Sequence, residues 1–424
     1  MDGKEKKVPK TIWQYFAILG PGIFIMAFHL GPGDVTTHTV IGAKFGTQLW
    51  WTLLFGVFFS IVFIEMVGRW TLATDTSVFE GFRHVGKWAA HVMFIGILAT
   101  WAAFGSATSL AAGLGWQAMI PFPGVGFLVG TRIWGTIMLF VCFAIVWFGV
   151  YQVLENIIKV LVIFMSASFI ITAIITKPDF VALAKALVPP TIPEGAGWLA
   201  MAEISVVVGG VTSIMYSYMV KEKDWNRSWM GAMRFDISVS YVILLILDVA
   251  IILAAYRVLM PQGITPNTAL DLAQALAPLY GAWAAILFSL GLWGAAMTTL
   301  FGAFLGTYAF IDYWKPEIYK GGEEEFRKTR EFKLLMLLVL VLCGMFVWVY
   351  LGPPIFMMII LYLSGAIWVP VMAIVIVKLT NDRERMGDLV NGRFMKVMGV
   401  IIILMGIYIA VQGILSVAGI VPLD

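Results

Sequence analysis

Long uninterrupted apolar runs are the feature that most constrains the fold of this chain. Of its 424 residues, 61% are hydrophobic and 12% are charged, whereas charged residues make up about 25% of a typical soluble domain. Because a helix needs about 20 apolar residues to cross a bilayer, the runs predict about eleven transmembrane helices. These predicted spans, numbered 1 to 11, are Trp13–Gly46, Leu49–Thr71, Trp88–Met119, Ile133–Tyr151, Val153–Ile175, Gly197–Met219, Ser238–Tyr256, Tyr280–Tyr308, Leu334–Leu351, Ile355–Val377 and Met395–Val417. We therefore expect an all-α integral membrane protein.

Several other classes of protein are excluded by the remaining sequence. The basic start of the chain leads into an apolar run much longer than the core of a signal peptide, so we expect no cleavable signal peptide. Cys142 and Cys343 both fall inside apolar runs and indicate neither a disulfide framework nor a metal motif. The sequence contains no Walker motif and no catalytic constellation, so we expect no enzyme, no cofactor and no nucleic-acid partner. Energy for transport would then come from a proton, sodium or membrane-potential gradient.

The basic residues indicate an orientation in the cell membrane. If the N-terminus is cytoplasmic, the 28 Lys and Arg residues all lie on the cytoplasmic side except Lys44, Arg132, Lys177, Lys185 and Arg257. The positive-inside rule then predicts a multi-pass protein with a cytoplasmic N-terminus and a C-terminus outside.

Helix-disfavouring residues interrupt two spans at matching positions. Span 1 carries Gly31-Pro32-Gly33, and span 6 carries Gly209-Gly210. Such a pair of interrupted helices is typical of transporters built from inverted repeats, with the binding site near the bilayer midplane. Glycine also permits close helix packing, which alone would explain Gly209-Gly210. The expected organisation is a cytoplasmic tail at 1–12, a first five-helix repeat at 13–175, an inverted second repeat at 197–377 and an additional eleventh helix at 395–417.

Charged and polar residues at membrane depth are the candidates for function. Asp34 stands beside the break in span 1, and a carboxylate there costs about 2.5–3.5 kcal/mol, which marks a substrate or ion contact. The alternative is a structural acid bonded to exposed helix-end N–H groups. His29, Glu203 and Asp248 are candidates for ion or proton coupling, because an imidazole titrates near neutral pH and the two acids have no sequence-local partner. His38 is expected toward the far end of span 1, where it needs no role.

Two acids have a simpler interpretation. Glu65 and Glu155 each precede a basic residue, Arg69 and Lys159, by four positions, so we expect helix-face ion pairs. The remaining candidates for substrate contact offer backbone, hydroxyl groups or aromatic rings, and they are Gly31, Gly210, Thr212, Ser213, Tyr216 and Trp101.

Several segments together resemble the Nramp family of proton-coupled divalent-metal transporters. ILGPGIFIMAFHLGPGD resembles the family's first helix, YQVLENIIKVLVIFM its fifth-helix start and KLTNDRERMGD its connection after helix 10. GGVTSIMYSYMVKEKDW resembles helix 6 of a divergent, Nramp-related branch. The similarity runs along nearly the whole chain, and it implies a LeuT-like fold of two inverted five-helix repeats, broken helices 1 and 6, and an eleventh helix.

The departures from the family pattern concern the metal site. The family's metal-binding aspartate falls at Gly31, its asparagine falls at Asp34, and Val-Thr-Ser stands where the family has Met-Pro-His. Loss of the methionine removes the soft ligand that suits transition metals. A related branch that carries magnesium also has an aspartate in place of the asparagine, which Asp34 matches and Gly31 does not.

These observations leave more than one function open. The first hypothesis is secondary active transport of a divalent metal ion, magnesium- or manganese-like, with Asp34 as its metal ligand. The alternative is transport of a small organic cation or zwitterion such as betaine or an amino acid, for which Gly31 makes room and Trp101 or Tyr216 faces the cation. A third hypothesis is a non-transporting receptor on a transporter fold.

Overall fold

The computed structural model describes residues 8–417 except 150, 198, 201–202, 205–210, 267–268, 321–322 and 350–369, and all regular secondary structure in this part is helical. The α-helices are α1 Ile12–Ala17, α2 Pro21–His29, α3 Pro32–Phe45, α4 Trp50–Thr74, α5 Val78–Val85, α6 Lys87–Met119, α7 Phe127–Phe148, α8 Tyr151–Ile175, α9 Phe180–Lys185, α10 Met215–Glu222, α11 Met230–Val258, α12 Ala269–Tyr280, α13 Ala282–Leu305, α14 Thr307–Trp314, α15 Pro316–Lys320, α16 Glu323–Lys328, α17 Arg330–Val349, α18 Pro370–Thr380, α19 Arg383–Met386 and α20 Arg393–Val417. Short 3₁₀ turns occupy Val211–Ile214, Arg227–Trp229, Met260–Gln262 and Gly387–Leu389.

The predicted spans correspond to helices wherever the structure describes them. Six helical segments of the described part are long and apolar enough to cross a membrane, or seven if the bent pair Arg383–Leu389 and Arg393–Tyr408 is one span. This number is below eleven partly because span 1 is divided into short helices and most of span 10 lies outside the described residues. Eleven crossings therefore stay a prediction, and so do the repeat boundaries.

Large apolar side chains are exposed along the outer helices. Phe148 at the end of α7 is 84% exposed, and Ile163 on α8 and Val349 on α17 are each 68% exposed. Apolar exposure on this scale marks an interaction surface rather than a water-facing one. We conclude that the faces of these helices contact lipid, as expected for a multi-pass membrane protein.

The break in span 1 follows directly from its sequence. α2 ends at His29, and Gly31 has an extended backbone with φ −83° and ψ 173°. Pro32 then begins α3, where its missing N–H group costs no helical hydrogen bond and its ring disfavours a helical Gly31. The predicted interruption is confirmed, although Pro32 and Gly33 form the first turn of the second half rather than the gap.

Spans 1 and 6 run in opposite directions. His38 on α3, the second half of span 1, contacts Glu203 in the first part of span 6. At the other end, Gly20 and Gly22 before and within α2 share the carboxylate of Asp236 with Tyr216 in the second half of span 6. The inverted-repeat hypothesis requires this antiparallel arrangement. The two ends are called the α3 side and the α2 side below.

Helix α11 connects both ends. It packs along α3 so closely that a Cβ atom on Gly42 would lie 2.4 Å from the carbonyl oxygen of Ile252. A side chain at position 42 would therefore force the two helices apart. The close approach places two carboxylates of α11, Asp236 and Asp248, against opposite ends of the broken span 1.

Candidate substrate and ion sites

Asp34 lies at the break in span 1, as predicted. It is the third residue of α3, is 4% exposed, and accepts a hydrogen bond on Oδ2 from the Gly31 N–H group at 3.2 Å. The first turn of a helix carries unpaired N–H groups and a positive partial charge, which both favour an anion there. Asp34 thus caps α3, which is the structural alternative considered above, and it also brings a negative charge to the break.

Two threonines of α13 reach the same break, and sequence reasoning missed both. Thr298 donates to the carbonyl oxygen of Ala27 at 2.9 Å, and Thr299 donates to that of Phe28 at 3.4 Å. These carbonyl groups belong to the last turn of α2, where no further helical N–H groups follow to bind them. The only sequence signal was the pair of adjacent hydroxyl residues inside the apolar span 8.

The space beside Gly31 is narrower than the organic-substrate hypothesis assumed. A Cβ atom on Gly31 would lie 3.1 Å from Thr299 Oγ1 and 3.4 Å from its Cγ2. Thr299 therefore occupies part of the volume that the missing side chain would leave. It brings a hydroxyl oxygen close to the position where the Nramp pattern has a carboxylate.

A buried cluster on the α3 side joins two predicted coupling residues to one that was expected to have no role. His38 Nε2 lies 2.5 Å from Glu203 Oε1, and His38 Nδ1 lies 3.2 Å from Asp248 Oδ1. All three side chains are at most 2% exposed. His38, for which no role was expected, is thus the partner of Glu203 and Asp248, and it lies far from both in the sequence.

The other predicted coupling residue, His29, lies apart from that cluster. Its Nδ1 atom forms a short hydrogen bond with the Tyr241 hydroxyl group of α11, and its ring meets the Tyr241 ring edge-on. His29 is the last residue of α2, directly at the break. The contact fixes the end of α2 against α11.

The α2 side is held by Asp236, which the sequence did not single out. Asp236 Oδ1 accepts from the Gly20 N–H group at 3.0 Å, and Oδ2 accepts from the Gly22 N–H group at 2.5 Å and from the Tyr216 hydroxyl group at 3.2 Å. A carboxylate at the N-terminus of α2 satisfies two helix-end donors. Tyr216, predicted to contact substrate, thus bonds through its hydroxyl group to this anchor.

The remaining predicted contacts are only partly described. Ser213 is buried in the 3₁₀ turn Val211–Ile214. Gly210 lies outside the described residues, as does Gly209, so the predicted break in span 6 is not described. Thr212 and Trp101 are placed in helical segments, but their side chains lie outside the described part.

Both predicted helix-face ion pairs are confirmed, and each acid has additional partners. Glu65 accepts from Arg69 Nε at 3.1 Å and from Arg234 at 2.9 Å, which joins α4 to the start of α11. Glu155 binds Lys159 at 2.6 Å and Lys223 at 2.7 Å.

Among the described residues, no group of three or more His, Cys, Asp or Glu side chains has an arrangement that could hold a metal ion. A cation at the break of span 1 would therefore have Asp34 as its described acidic ligand, with carbonyl and hydroxyl oxygens around it. Such a donor set suits a hard, partly hydrated ion rather than a soft one.

Relatives of this chain are transporters. Divalent metal cation transporters named MntH from Klebsiella pneumoniae strain 342 and Pectobacterium carotovorum are 25% and 22% identical, over 91% and 92% of both chains in each pair. A mutant manganese transporter of Eremococcus coleocola superposes with a TM-score of 0.79 at 15% identity, covering 98% of this chain and 91% of the other. These comparisons confirm the expectation of a transporter rather than an enzyme.

More distant structures confirm the fold. MhsT in complex with L-phenylalanine has a TM-score of 0.59 at 13% identity and covers 97% of this chain and 100% of its own. Together with the manganese transporter, it confirms the LeuT-like fold. The sequence model of the family described as natural resistance-associated macrophage protein-like matches residues 22–416. Because the match spans most of the chain, this protein belongs to the Nramp family.

Proposed function

We propose that this protein is a secondary active transporter that carries a divalent metal cation, magnesium or manganese, across the cell membrane. The observation that carries the proposal is Asp34, a buried carboxylate at the break of span 1 in a chain of the Nramp family. Relatives named as divalent metal cation and manganese transporters support the same cargo.

The proposed metal site combines Asp34 with uncharged oxygen donors. The hydroxyl group of Thr299 lies near Gly31, and Ser213, Thr212 and the backbone at Gly210 are candidates from span 6. One carboxylate and several neutral oxygens would bind a hard cation that keeps part of its water shell, as magnesium prefers. The site would accordingly be weak and would discriminate against soft metals.

Orientation and coupling complete the proposal. With a cytoplasmic N-terminus, the α2 side faces the cytoplasm and the α3 side faces outside. His29, Glu203 and Asp248 are the proposed coupling residues, and a proton or sodium gradient would supply the energy. The organic-cation alternative has less support, because Thr299 fills space beside Gly31 and the Tyr216 hydroxyl group binds Asp236.

Calorimetric titration of the purified protein tests the cargo. We expect heat on addition of manganese or magnesium chloride and none with betaine or small amino acids. Asp34→Asn should abolish the metal signal. Asp179→Asn is the matched control, because Asp179 caps α9 away from the break and asparagine caps a helix equally well. Binding of betaine without a metal response would refute metal transport and favour the organic substrate.

A further inference from the structure

His38 contacts two buried acids, one through each nitrogen of its ring. Its Nε2 atom is hydrogen-bonded to Glu203 at 2.5 Å, and its Nδ1 atom lies 3.2 Å from Asp248, at ion-pair distance without hydrogen-bond alignment. All three side chains are buried, so water does not separate or screen the groups.

Proton counting shows what this geometry requires. A neutral imidazole has one N–H donor, and its other nitrogen carries a lone pair. With a neutral ring and two ionised acids, one carboxylate would face that lone pair at hydrogen-bond distance, which is repulsive in a buried site. One more proton resolves the conflict, either on an imidazolium that donates to Glu203 and forms an ion pair with Asp248, or on a carboxylic acid beside the neutral ring.

A neighbouring acid makes binding of that extra proton more favourable. Asp34 lies one helical turn before His38, and its charge acts on His38, Glu203 and Asp248. α13, which also packs against α3, has no ionisable residue, and α12 has Asp271 and Tyr280 as its ionisable residues. Glu203 and Asp248 lie against the ring and Asp34 lies one turn away, so the cluster without its extra proton would hold up to three negative charges around one neutral ring.

The cluster also has a mechanical consequence. His38 belongs to α3, Glu203 to the first part of span 6, and Asp248 to α11. The two contacts of His38 thus join the α3-side parts of spans 1 and 6 to a single long helix. The 2.5 Å contact between His38 and Glu203 leaves no room for a metal ion between the two atoms, because each metal–ligand bond is about 2 Å long.

We propose that the His38–Glu203–Asp248 cluster is a proton-binding site and that the bound proton holds the α3-side halves of spans 1 and 6 against α11. This arrangement binds one proton more than the separated groups, so low pH favours it and rising pH favours separation. Only the coupling of this proton site to movement of the cargo rests on the proposed transport function. The site itself is therefore tested in metal-free protein.

The charge state of the ring is directly measurable. The chain has four histidines, His29, His38, His84 and His91, so selective ¹⁵N labelling gives few ring signals, which single His→Gln variants assign. Either a ring with both nitrogens protonated or a ring accepting a proton from an acid fits the site at neutral pH. The second case is identified by the infrared band of a protonated carboxyl group, which Glu203→Gln or Asp248→Asn removes. A neutral His38 ring with both acids ionised would overturn the proposal.

Accessibility of the α3 side tests the consequence of protonation. Thr39, next to His38, is fully buried, so a cysteine in Thr39→Cys reacts with a water-soluble reagent only when the α3-side halves separate. After correction for thiolate formation, the reaction rate should rise as the pH passes above about 6.5, where a separated imidazole loses its proton, by at most about tenfold per pH unit for one linked proton. His38→Gln should remove this dependence, while His91→Gln, whose side chain is exposed and bonds its own helix, should retain it. An unchanged pH dependence in His38→Gln would contradict the proposal, even if metal binding at Asp34 is intact.

Discussion

We predict that substitution of Asp236 releases the α2 side of the protein. Its carboxylate accepts two N–H groups at the start of α2 and the Tyr216 hydroxyl group, and so it holds α2 and α10 against α11. In Asp236→Asn, the amide oxygen still accepts one N–H group, but the amide NH₂ group faces the other donor. The substitution should therefore release the α2 side without removing the side chain.

The size of the effect follows from the lost contacts. One charge-assisted hydrogen bond contributes about 1.5–3 kcal/mol, and a charge at a helix N-terminus contributes about 0.3–1 kcal/mol or more. A total of about 3 kcal/mol would shift the opening equilibrium of the α2 side by roughly a hundredfold. Tyr216→Phe, which removes one hydroxyl donor, should shift it only by roughly fivefold, or about 1 kcal/mol.

Cysteine labelling measures this shift. Met26 on α2 is fully buried, so the labelling rate of Met26→Cys by a water-soluble maleimide reports how often the α2 side opens. We expect labelling to be roughly a hundredfold faster with Asp236→Asn than without it. A rate within about twofold of the parent would refute the view that Asp236 holds α2 and α10 against α11.

Two further predictions concern the metal site and the ion pairs. Gly31→Asp, which introduces the acid of the Nramp pattern, should be poorly tolerated because its Cβ would lie 3.1 Å from Thr299 Oγ1. Together with Thr299→Ala it should bind manganese roughly tenfold tighter in calorimetry, since an added carboxylate strengthens a cation site; equal affinity would show that position 31 does not face the cargo. Glu65→Gln should destabilise the protein by about 3 kcal/mol, because it leaves the buried Arg69 beside Arg234 without a compensating charge. Thermal unfolding in detergent measures this, with the exposed Glu317→Gln as control, and an equal melting temperature in the two variants would contradict the assigned network.

The fold and the broken first span were predictable because their signals are local. Apolar runs set the helices, and Gly31-Pro32 sets the break, since proline acts on its own position and the one before it. The pairing of Glu65 with Arg69 was predictable for the same reason, because four residues make one helical turn.

The partners of the buried polar groups could not be predicted. His38 and Glu203 are 165 positions apart, and Asp236 is 216 positions from Gly20. Such contacts depend on how antiparallel spans align around α11, which the helical period of one span does not determine. The sequence analysis did not single out Asp236, Thr298 or Thr299, because nothing near them in the chain indicates their distant partners.

Whether Asp34 binds a transported metal ion can be measured as manganese uptake into sealed liposomes. We expect the protein to carry manganese into the liposomes, Asp34→Asn to lower the rate by roughly tenfold or more, and Asp179→Asn to transport normally. Uptake by Asp34→Asn at the rate of the unaltered protein would contradict the assignment of Asp34 as the metal ligand. No uptake by any of the three proteins, with betaine transported instead, would contradict the metal cargo itself.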